Sequence, residues 1–136
     1  MADDESTTIA ILRNEVKDFV AERQWEKFHS PKNISMALSV EAAELMEHFQ
    51  WISPEESLAL SSEKRVEVGE EISDVFCYLL AMANSLDIDI ASTFDRKMKL
   101  NRKKYPVEEI RGRFGHDDPS PVADGSADDK QGASKC

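Results

Sequence analysis

The sequence predicts an all-α protein, an antiparallel four-helix bundle with one short connecting helix and a disordered C-terminal tail. Apolar residues recur every three or four positions through most of the 136 residues, which is typical of one face of a helix. No segment alternates apolar and polar residues in the manner of a half-buried strand. Glycine and proline number only 5 each and lie mostly near the C-terminus, so little interrupts the helical pattern.

The first two helices are separated by a clear break. Possible capping residues at positions 6–8 precede the first helix, whose apolar face runs through residues 9–20. The sequence His-Ser-Pro-Lys at positions 29–32 interrupts the pattern. We therefore predict the second helix over about residues 33–51, with Asn33 as its N-cap.

The remaining helices begin and end at turn-forming residues. Ser53, followed by proline and then by Glu56 three residues later, predicts a capping box and a short helix. A third long helix carries apolar residues over 68–86, and aspartates within 87–89 end it. A fourth helix is predicted over about residues 90–104.

One folded domain is expected over residues 1–111, followed by a disordered acidic tail over 112–136. The tail is rich in Gly, Asp, Ser and Pro, and its few apolar side chains cannot offset the entropy lost on ordering. Four modest helices with a large polar fraction leave little apolar area to bury within one chain. We therefore expect a homo-oligomer, either a dimer or a tetramer formed as a dimer of dimers.

Composition excludes several classes of function. The chain has 17 Lys and Arg against 27 Asp and Glu, a net charge of −10, which is opposite to a nucleic-acid-binding surface. No apolar run approaches the roughly 20 residues of a membrane helix, and the first residues are acidic, unlike a signal peptide. Two cysteines, Cys77 and Cys136, do not make a disulfide framework. Cys77 is expected to be a small buried side chain. We expect a cytoplasmic protein with no nucleic-acid or membrane partner.

The second helix carries a carboxylate in an unusual place. On a helical wheel at about 100° per residue, Glu41 falls among the apolar positions Ile34 and Leu45. Glu44 borders the same sector, and His48 lies between the two glutamates. An ionised carboxylate facing a core is costly unless a cation or hydrogen bonds compensate it. Glu41 is therefore a candidate ligand.

The third helix offers a second acidic pair, Glu71 and Asp74, on one stripe with Glu67 and Tyr78. Where two such pairs face each other across antiparallel helices, their repulsion favours capture of a divalent cation. Carboxylate oxygens suit Mg²⁺ or Mn²⁺ better than zinc. By spacing alone, a solvated acidic face remains an open alternative.

The sequence also contains half of a different metal-binding motif. Glu26-x-x-His29 is the pair found in di-iron bundles, but those sites need two copies on facing helices and this sequence has one. The glycine-rich phosphate loop G-x-x-x-x-G-K-[ST] is also absent from the sequence. Carboxylates and a hard cation are therefore the chemistry that the sequence favours.

The two acidic pairs, Glu41-x-x-Glu44 and Glu71-x-x-Asp74, resemble the signature of the MazG-like all-α nucleoside triphosphate pyrophosphohydrolases. Other segments between about residues 9 and 106 are similar to the dCTP pyrophosphatase branch of that family. They are AERQWEKFHSPKN at 21–33, FQW at 49–51, EEISDV at 70–75, Tyr78-Leu79 and the segment 97–106.

The resemblance implies Mg²⁺-dependent hydrolysis of a deoxynucleoside triphosphate, above all dCTP or a modified dCTP, to the monophosphate and pyrophosphate. It gives the metal-binding and catalytic roles to Glu41, Glu44, Glu71 and Asp74, with Glu41 as the candidate for activating water. It implies substrate contacts for Trp25, His29, Asn33, Trp51, Tyr78, Lys97 and Asn101.

Alternatives remain for several of these residues. Val16 stands where the branch often has a polar ring beside the base, so the base preference follows less directly from the resemblance than the reaction does. The second hypothesis is a non-catalytic helical interaction module whose acidic surfaces bind a basic partner protein. The third is a broader dNTP or dUTP pyrophosphatase that also acts on damaged nucleotides. Trp25 and Trp51 can stack on a nucleobase, at about 1–3 kcal/mol per base, or serve as ordinary core or interface anchors.

Overall fold

The structure, a computed structural model, describes residues 2–112, and all of its regular elements are helical. The described residues contain no strand, so the predicted all-α class is confirmed. The elements are α1 (Ile9–Glu22), a 3-10 turn (Glu26–Phe28), α2 (Pro31–Glu47), α3 (Pro54–Ser57), α4 (Ser62–Ser85), α5 (Ile90–Lys104) and α6 (Val107–Ile110).

Helix α2 begins earlier than predicted, and its N-cap is Ser30 rather than Asn33. The Ser30 hydroxyl accepts a hydrogen bond from the Asn33 amide, and Pro31 occupies the first helical turn. A serine cap followed by proline is a strong start signal, so Asn33 falls inside the helix. The Asn33 side chain instead donates to the carbonyl of Phe28 at 3.1 Å. The expectation that Asn33 caps the helix was wrong.

The other helix starts follow their caps closely. Thr8 accepts from the Ile11 amide at the start of α1. Ser53 and Glu56 form the predicted capping box before α3, with the Ser53 amide donating to Glu56 Oε2 at 2.7 Å. Helix α4 begins six residues before its predicted apolar face, because Ser61 caps a first turn and a half that is mostly charged. A mostly charged segment has no apolar periodicity, so the start of this helix could not be predicted from that pattern.

The break between α4 and α5 lies where the aspartates predicted it. Asp87 adopts a positive φ of 52°, a conformation that ends a helix. Asp89 then accepts a hydrogen bond from the Ser92 amide at 2.8 Å and so caps the start of α5. Helix α6 was not predicted, since the fourth helix was expected to be the last.

The described residues form two compact units, one up to Thr93 and one from Phe94 onward. In the first unit α2 packs along α4, and α1 also packs on α4. Glu41 lies beside Glu71, whereas His48, two turns later on α2, lies beside Glu67, one turn earlier on α4. The two helices are therefore antiparallel, as predicted.

The core of this unit is small. The buried apolar side chains are Ile34 on α2 and Leu80, Ala81 and Ala83 on α4. Large apolar side chains are exposed elsewhere, with Trp51 87% and Leu58 84% accessible. Much apolar surface of the single chain is therefore left uncovered, which is unusual for a protein that works alone.

Two further expectations concern residues outside the core. Cys77 is exposed, so its predicted burial was wrong. Residues 113–136 of the predicted tail lie outside the described residues, and the domain boundary at 111 stays a prediction. No single described helix is long and apolar enough to cross a membrane, although α4 and α5 taken together pass a test of length and composition.

Candidate functional site

Three carboxylates converge where α2 and α4 pack together. One oxygen from each of Glu41, Glu44 and Glu71 lies within 4.8 Å of the others, and we call these three residues the acidic cluster. Glu41 and Glu44 are three residues apart on α2 and so share a face, while Glu71 approaches from α4. The antiparallel packing of the two helices thus brings together residues that are about thirty positions apart in the sequence.

Asp74 lies one turn beyond Glu71 on α4 and belongs to the same electrostatic environment. Partial burial raises the pKa of Glu41, and the negative charges of Glu44, Asp74 and Glu71 raise it further. The negative charges of both predicted pairs therefore reach Glu41. Holding these groups together as anions is unfavourable in the protein alone.

Tyr78 borders the same charges. Burial raises the pKa of its phenol, and the carboxylates of Glu41 and Asp74 raise it further. The phenol is therefore a neutral hydrogen-bond donor near the cluster at physiological pH. Cys77 also has a raised pKa, from partial burial and then from Asp74, so it stays a thiol and is a poor nucleophile.

The donor set fits a hard divalent cation. All three residues of the acidic cluster offer carboxylate oxygens, the type of ligand that Mg²⁺ and Mn²⁺ prefer. Glu71 Oε2 is buried and has no hydrogen-bond partner in the part of the chain described. A buried carboxylate oxygen with no partner is rare, because it loses its hydration without compensation. A cation held by Glu41, Glu44 and Glu71 would supply that partner.

His48 lies next to this site, and sequence analysis predicted only its place on the helical wheel. Its Nδ1 lies 3.9 Å from Glu67 Oε2, and its Nε2 lies 3.9 Å from Glu71 Oε1. Glu67 is held on its other side by Lys64, whose Nζ donates to Glu67 Oε2 at 2.8 Å. No pattern in the sequence of α2 pairs His48 with these two residues, because their contact depends on the register of α2 against α4.

Trp25 and His29 belong to the segment between α1 and α2, and Asn33 lies in the first turn of α2. Trp25 makes an edge-to-face contact with Phe19, with 5.9 Å between ring centroids. The ring Nδ1 of His29 lies 2.9 Å from the Trp25 carbonyl, and Asn33 donates to Phe28. These contacts shape the loop itself. They also leave the single Glu26-x-x-His29 pair in a 3-10 turn, where no second copy faces it within the described residues.

An open groove of about 670 Å³ lies in the first unit alongside α1 and the C-terminal end of α4. Val16 and His29 line it together with Ala81 and Ser85. Ala81 follows Tyr78 by three residues, about 4.5 Å of helix rise, so the groove begins one turn beyond the phenol. On α4, the residues that line the groove therefore start one turn after Tyr78, which borders the acidic cluster.

Trp51, Lys97 and Asn101 are the remaining residues that the sequence predicted to contact the substrate. Trp51 follows α2 and is almost fully accessible. Lys97 and Asn101 lie one turn apart on the same face of α5, in the second unit. Lys97 is exposed, and the Asn101 amide lies 3.9 Å from the Met98 sulfur. Their roles stay predictions.

The chain is similar to one known protein family and to several known proteins. The profile of the MazG-like family matches residues 36–113. The dCTP pyrophosphatase 1 of Bos taurus is 41% identical over 107 residues, covering 77% of this chain and 63% of the bovine protein. The Homo sapiens protein of the same name is 39% identical over 106 residues, covering 76% of this chain and 62% of its own length. The chain thus spans less than two thirds of these curated relatives.

A solved structure is similar over a larger share of its own length. The crystal structure of a pyrophosphatase from Archaeoglobus fulgidus DSM 4304 is 36% identical and superimposes with a TM-score of 0.69. The match covers 78% of this chain and 99% of the archaeal one. The matched family region, residues 36–113, contains both acidic pairs.

Proposed function

The chain belongs to the MazG-like family, and on this premise we propose that it hydrolyses a deoxynucleoside triphosphate to the monophosphate and pyrophosphate, with Mg²⁺ as cofactor. The preferred substrate is dCTP or a modified dCTP, and the biological role is removal of unwanted nucleotides. The names of the bovine and human relatives, dCTP pyrophosphatase 1, support this choice of base.

The acidic cluster is the observation that carries the proposal. Glu41, Glu44 and Glu71 bring carboxylate oxygens within 4.8 Å of one another, and Asp74 adds its charge beside them. We assign all four as metal ligands and as catalytic residues. A bound Mg²⁺ or Mn²⁺ neutralises phosphate charge and promotes attack by water.

The protein's own residues then perform three tasks. Glu41, half-buried between the other carboxylates, orients the attacking water and accepts its proton. The water oxygen forms a bond to the α-phosphorus, and the bond from that phosphorus to the bridging oxygen breaks, so pyrophosphate leaves. Lys97 and Asn101 contact the phosphates or the sugar.

Mn²⁺ is an acceptable substitute for Mg²⁺ because it takes the same oxygen ligands.

The nucleoside is bound by aromatic and polar side chains. Tyr78 donates a hydrogen bond beside the cluster, and Trp25 and Trp51 stack against the base or sugar. His29 lines the same pocket from the segment before α2, and Asn33 lines it from the first turn of α2. The groove that contains Val16 and His29 supports this assignment, since it begins one turn beyond Tyr78.

We further propose that the protein works as a homo-oligomer in the cytoplasm, with no nucleic-acid or membrane partner. The exposure of Trp51 and Leu58 supports assembly, because a second copy would cover apolar surface that one chain leaves open. The measurement is the sedimentation mass of the full chain at micromolar concentration. A mass equal to one chain contradicts the assembly.

The test of the reaction is pyrophosphate release from a panel of deoxynucleoside triphosphates and modified bases, with Mg²⁺ and with EDTA. We expect the highest kcat/KM for dCTP or a modified dCTP and no release in EDTA. Equal rates for dUTP and the other substrates would favour a broader pyrophosphatase. No release, together with no thermal stabilisation by Mg²⁺ and a non-hydrolysable nucleotide, would favour an interaction module.

A further inference from the structure

His48 occupies the space between α2 and α4 next to the acidic cluster. Its side chain is only 14% accessible, yet it is a polar ring. Each ring nitrogen faces a carboxylate of α4, Nδ1 toward Glu67 and Nε2 toward Glu71, both at 3.9 Å. An apolar side chain of similar size would fill this space equally well. Packing alone therefore does not account for a histidine at this position.

Two buried atoms of these side chains lack hydrogen-bond partners. His48 Nδ1 and Glu71 Oε2 are both buried and make no hydrogen bond within the described residues. The Glu71 side chain is 23% accessible, but this oxygen is fully covered. With Oε1 turned toward the imidazole, Oε2 is the oxygen left for another ligand. His48 thus lies on the Oε1 side of the Glu71 carboxylate, and Oε2 is left for a cation.

The chain of contacts continues away from the cluster. Lys64 holds Glu67 through a 2.8 Å hydrogen bond, Glu67 faces one ring nitrogen of His48, and the other ring nitrogen faces Glu71. The buried ring thus lies between two carboxylates of α4, with one ring nitrogen toward each. Carboxylates that bind metals are commonly oriented by groups of this kind outside the ligand set.

We propose that His48 is a positioning residue for Glu71, setting the direction of its carboxylate so that one oxygen faces His48 and the other faces the cation. The inference rests on the proposed function only in that the acidic cluster binds a divalent cation. His48 itself touches neither the cation nor the nucleotide.

The experiment measures Mn²⁺ affinity of the full chain without nucleotide, by calorimetry or by the electron paramagnetic resonance signal of free Mn²⁺. Replacing His48 by leucine fills the space without a polar atom, and we expect Mn²⁺ affinity to fall about 10- to 100-fold. H48Q keeps a nitrogen near the position of Nε2, facing Glu71, and should recover part of the affinity. H48N keeps one near Nδ1, facing Glu67, and should not.

The kinetic readout separates positioning from a loss of structure. Saturating Mn²⁺ should restore much of the kcat of H48L, while the KM for nucleotide changes little. Far-UV circular dichroism checks that each variant is folded. Should H48L fail to fold, the difference between H48Q and H48N decides the matter, because equal affinities for Mn²⁺ in those two variants would overturn the proposal.

The remaining outcomes distinguish this inference from the proposed function. Mn²⁺ binding that is equal in wild type and H48L would overturn the positioning role and leave the proposed function standing. A wild-type chain that binds no Mn²⁺ would overturn the proposed metal site, and the role of His48 with it. Weakened binding in H48L that H48Q partly restores would support both.

Discussion

Arg13 and Asn84 join α1 to the C-terminal end of α4 through a reciprocal pair of hydrogen bonds. Arg13 Nε donates to Asn84 Oδ1 at 2.8 Å, and Asn84 Nδ2 donates to the Arg13 carbonyl at 2.9 Å. The same guanidinium donates to the carbonyl of Ile88 at 2.9 Å and to that of Ala83 at 3.4 Å. One side chain thus ties α1 both to the last turn of α4 and to the backbone that follows it, where the Ile88 amide also donates to the Ala83 carbonyl at 2.9 Å.

Replacing Asn84 by alanine should therefore destabilise the protein by about 1–3 kcal/mol, because partly buried groups of Arg13 lose their partners. Urea denaturation followed by circular dichroism measures the change. K99A is the matched control, since Lys99 pairs with Asp95 on an exposed surface and such pairs contribute about 0.3–0.5 kcal/mol. Equal losses in the two variants would contradict the structural role of Asn84.

E44Q and D74N should fold normally yet lose turnover. Each removes one negative charge from the acidic site, so metal-free stability should stay the same or rise as repulsion is relieved. Pyrophosphate release in Mg²⁺ should be abolished because a proposed ligand is gone. E47Q, an exposed position on α2, is the control and should keep its rate. Near wild-type turnover in E44Q or D74N would mean that the ligand set is wrong.

The two tryptophans should respond differently to truncation. W25A removes an edge-to-face partner of Phe19, which alone is worth about 0.5–1.5 kcal/mol. W51A removes a side chain that is almost fully accessible in the single chain, so chain stability should change by less than about 0.5 kcal/mol.

Both variants should raise the KM for nucleotide and reduce discrimination between bases, because each loses a proposed stacking surface. Steady-state kinetics on the deoxynucleotide panel is the measurement. An unchanged substrate profile in W51A would instead indicate that Trp51 is an interface anchor. The sedimentation mass of the W51A protein would then be expected to change.

Metal-free stability should rise as the pH is lowered from 7 toward 4.5. The pKa of Glu41 in the folded protein is raised above its ordinary value of 4.5. At pH values between 4.5 and the folded pKa, the native state therefore binds more protons than the unfolded state, and lowering the pH stabilises it. The unfavourable contribution of Glu41 is present in full above its folded pKa and is lost as the pH falls through it.

Thermal unfolding in EDTA at a series of pH values measures this effect as the difference between wild type and E41Q. The lowered pKa values of Glu63 and Glu67 act in the opposite direction, but only below 4.5, where their stabilising contributions are lost. A wild-type protein whose stability relative to E41Q does not depend on pH between 7 and 4.5 would contradict the environment described for Glu41.

Sequence patterns predicted most elements because the forces that form them are local. The Ser53 capping box, the aspartates before α5 and the apolar spacing of α1 all act within a few residues. The prediction of Asn33 as a cap failed for an equally local reason, since Ser30 and Pro31 provide a stronger start. The first turns of α4 were missed because charged residues give no apolar period.

The sequence by itself determined that the chain is helical and that carboxylates recur at three-residue spacing on two of its helices. Only the tertiary structure decided which of them meet, because the register of α2 against α4 brings Glu41 and Glu44 to Glu71 and sets His48 between Glu67 and Glu71. Helical spacing fixes the face on which a side chain lies. The distance between side chains on different helices depends instead on how their apolar surfaces pack, which no segment of the sequence specifies alone.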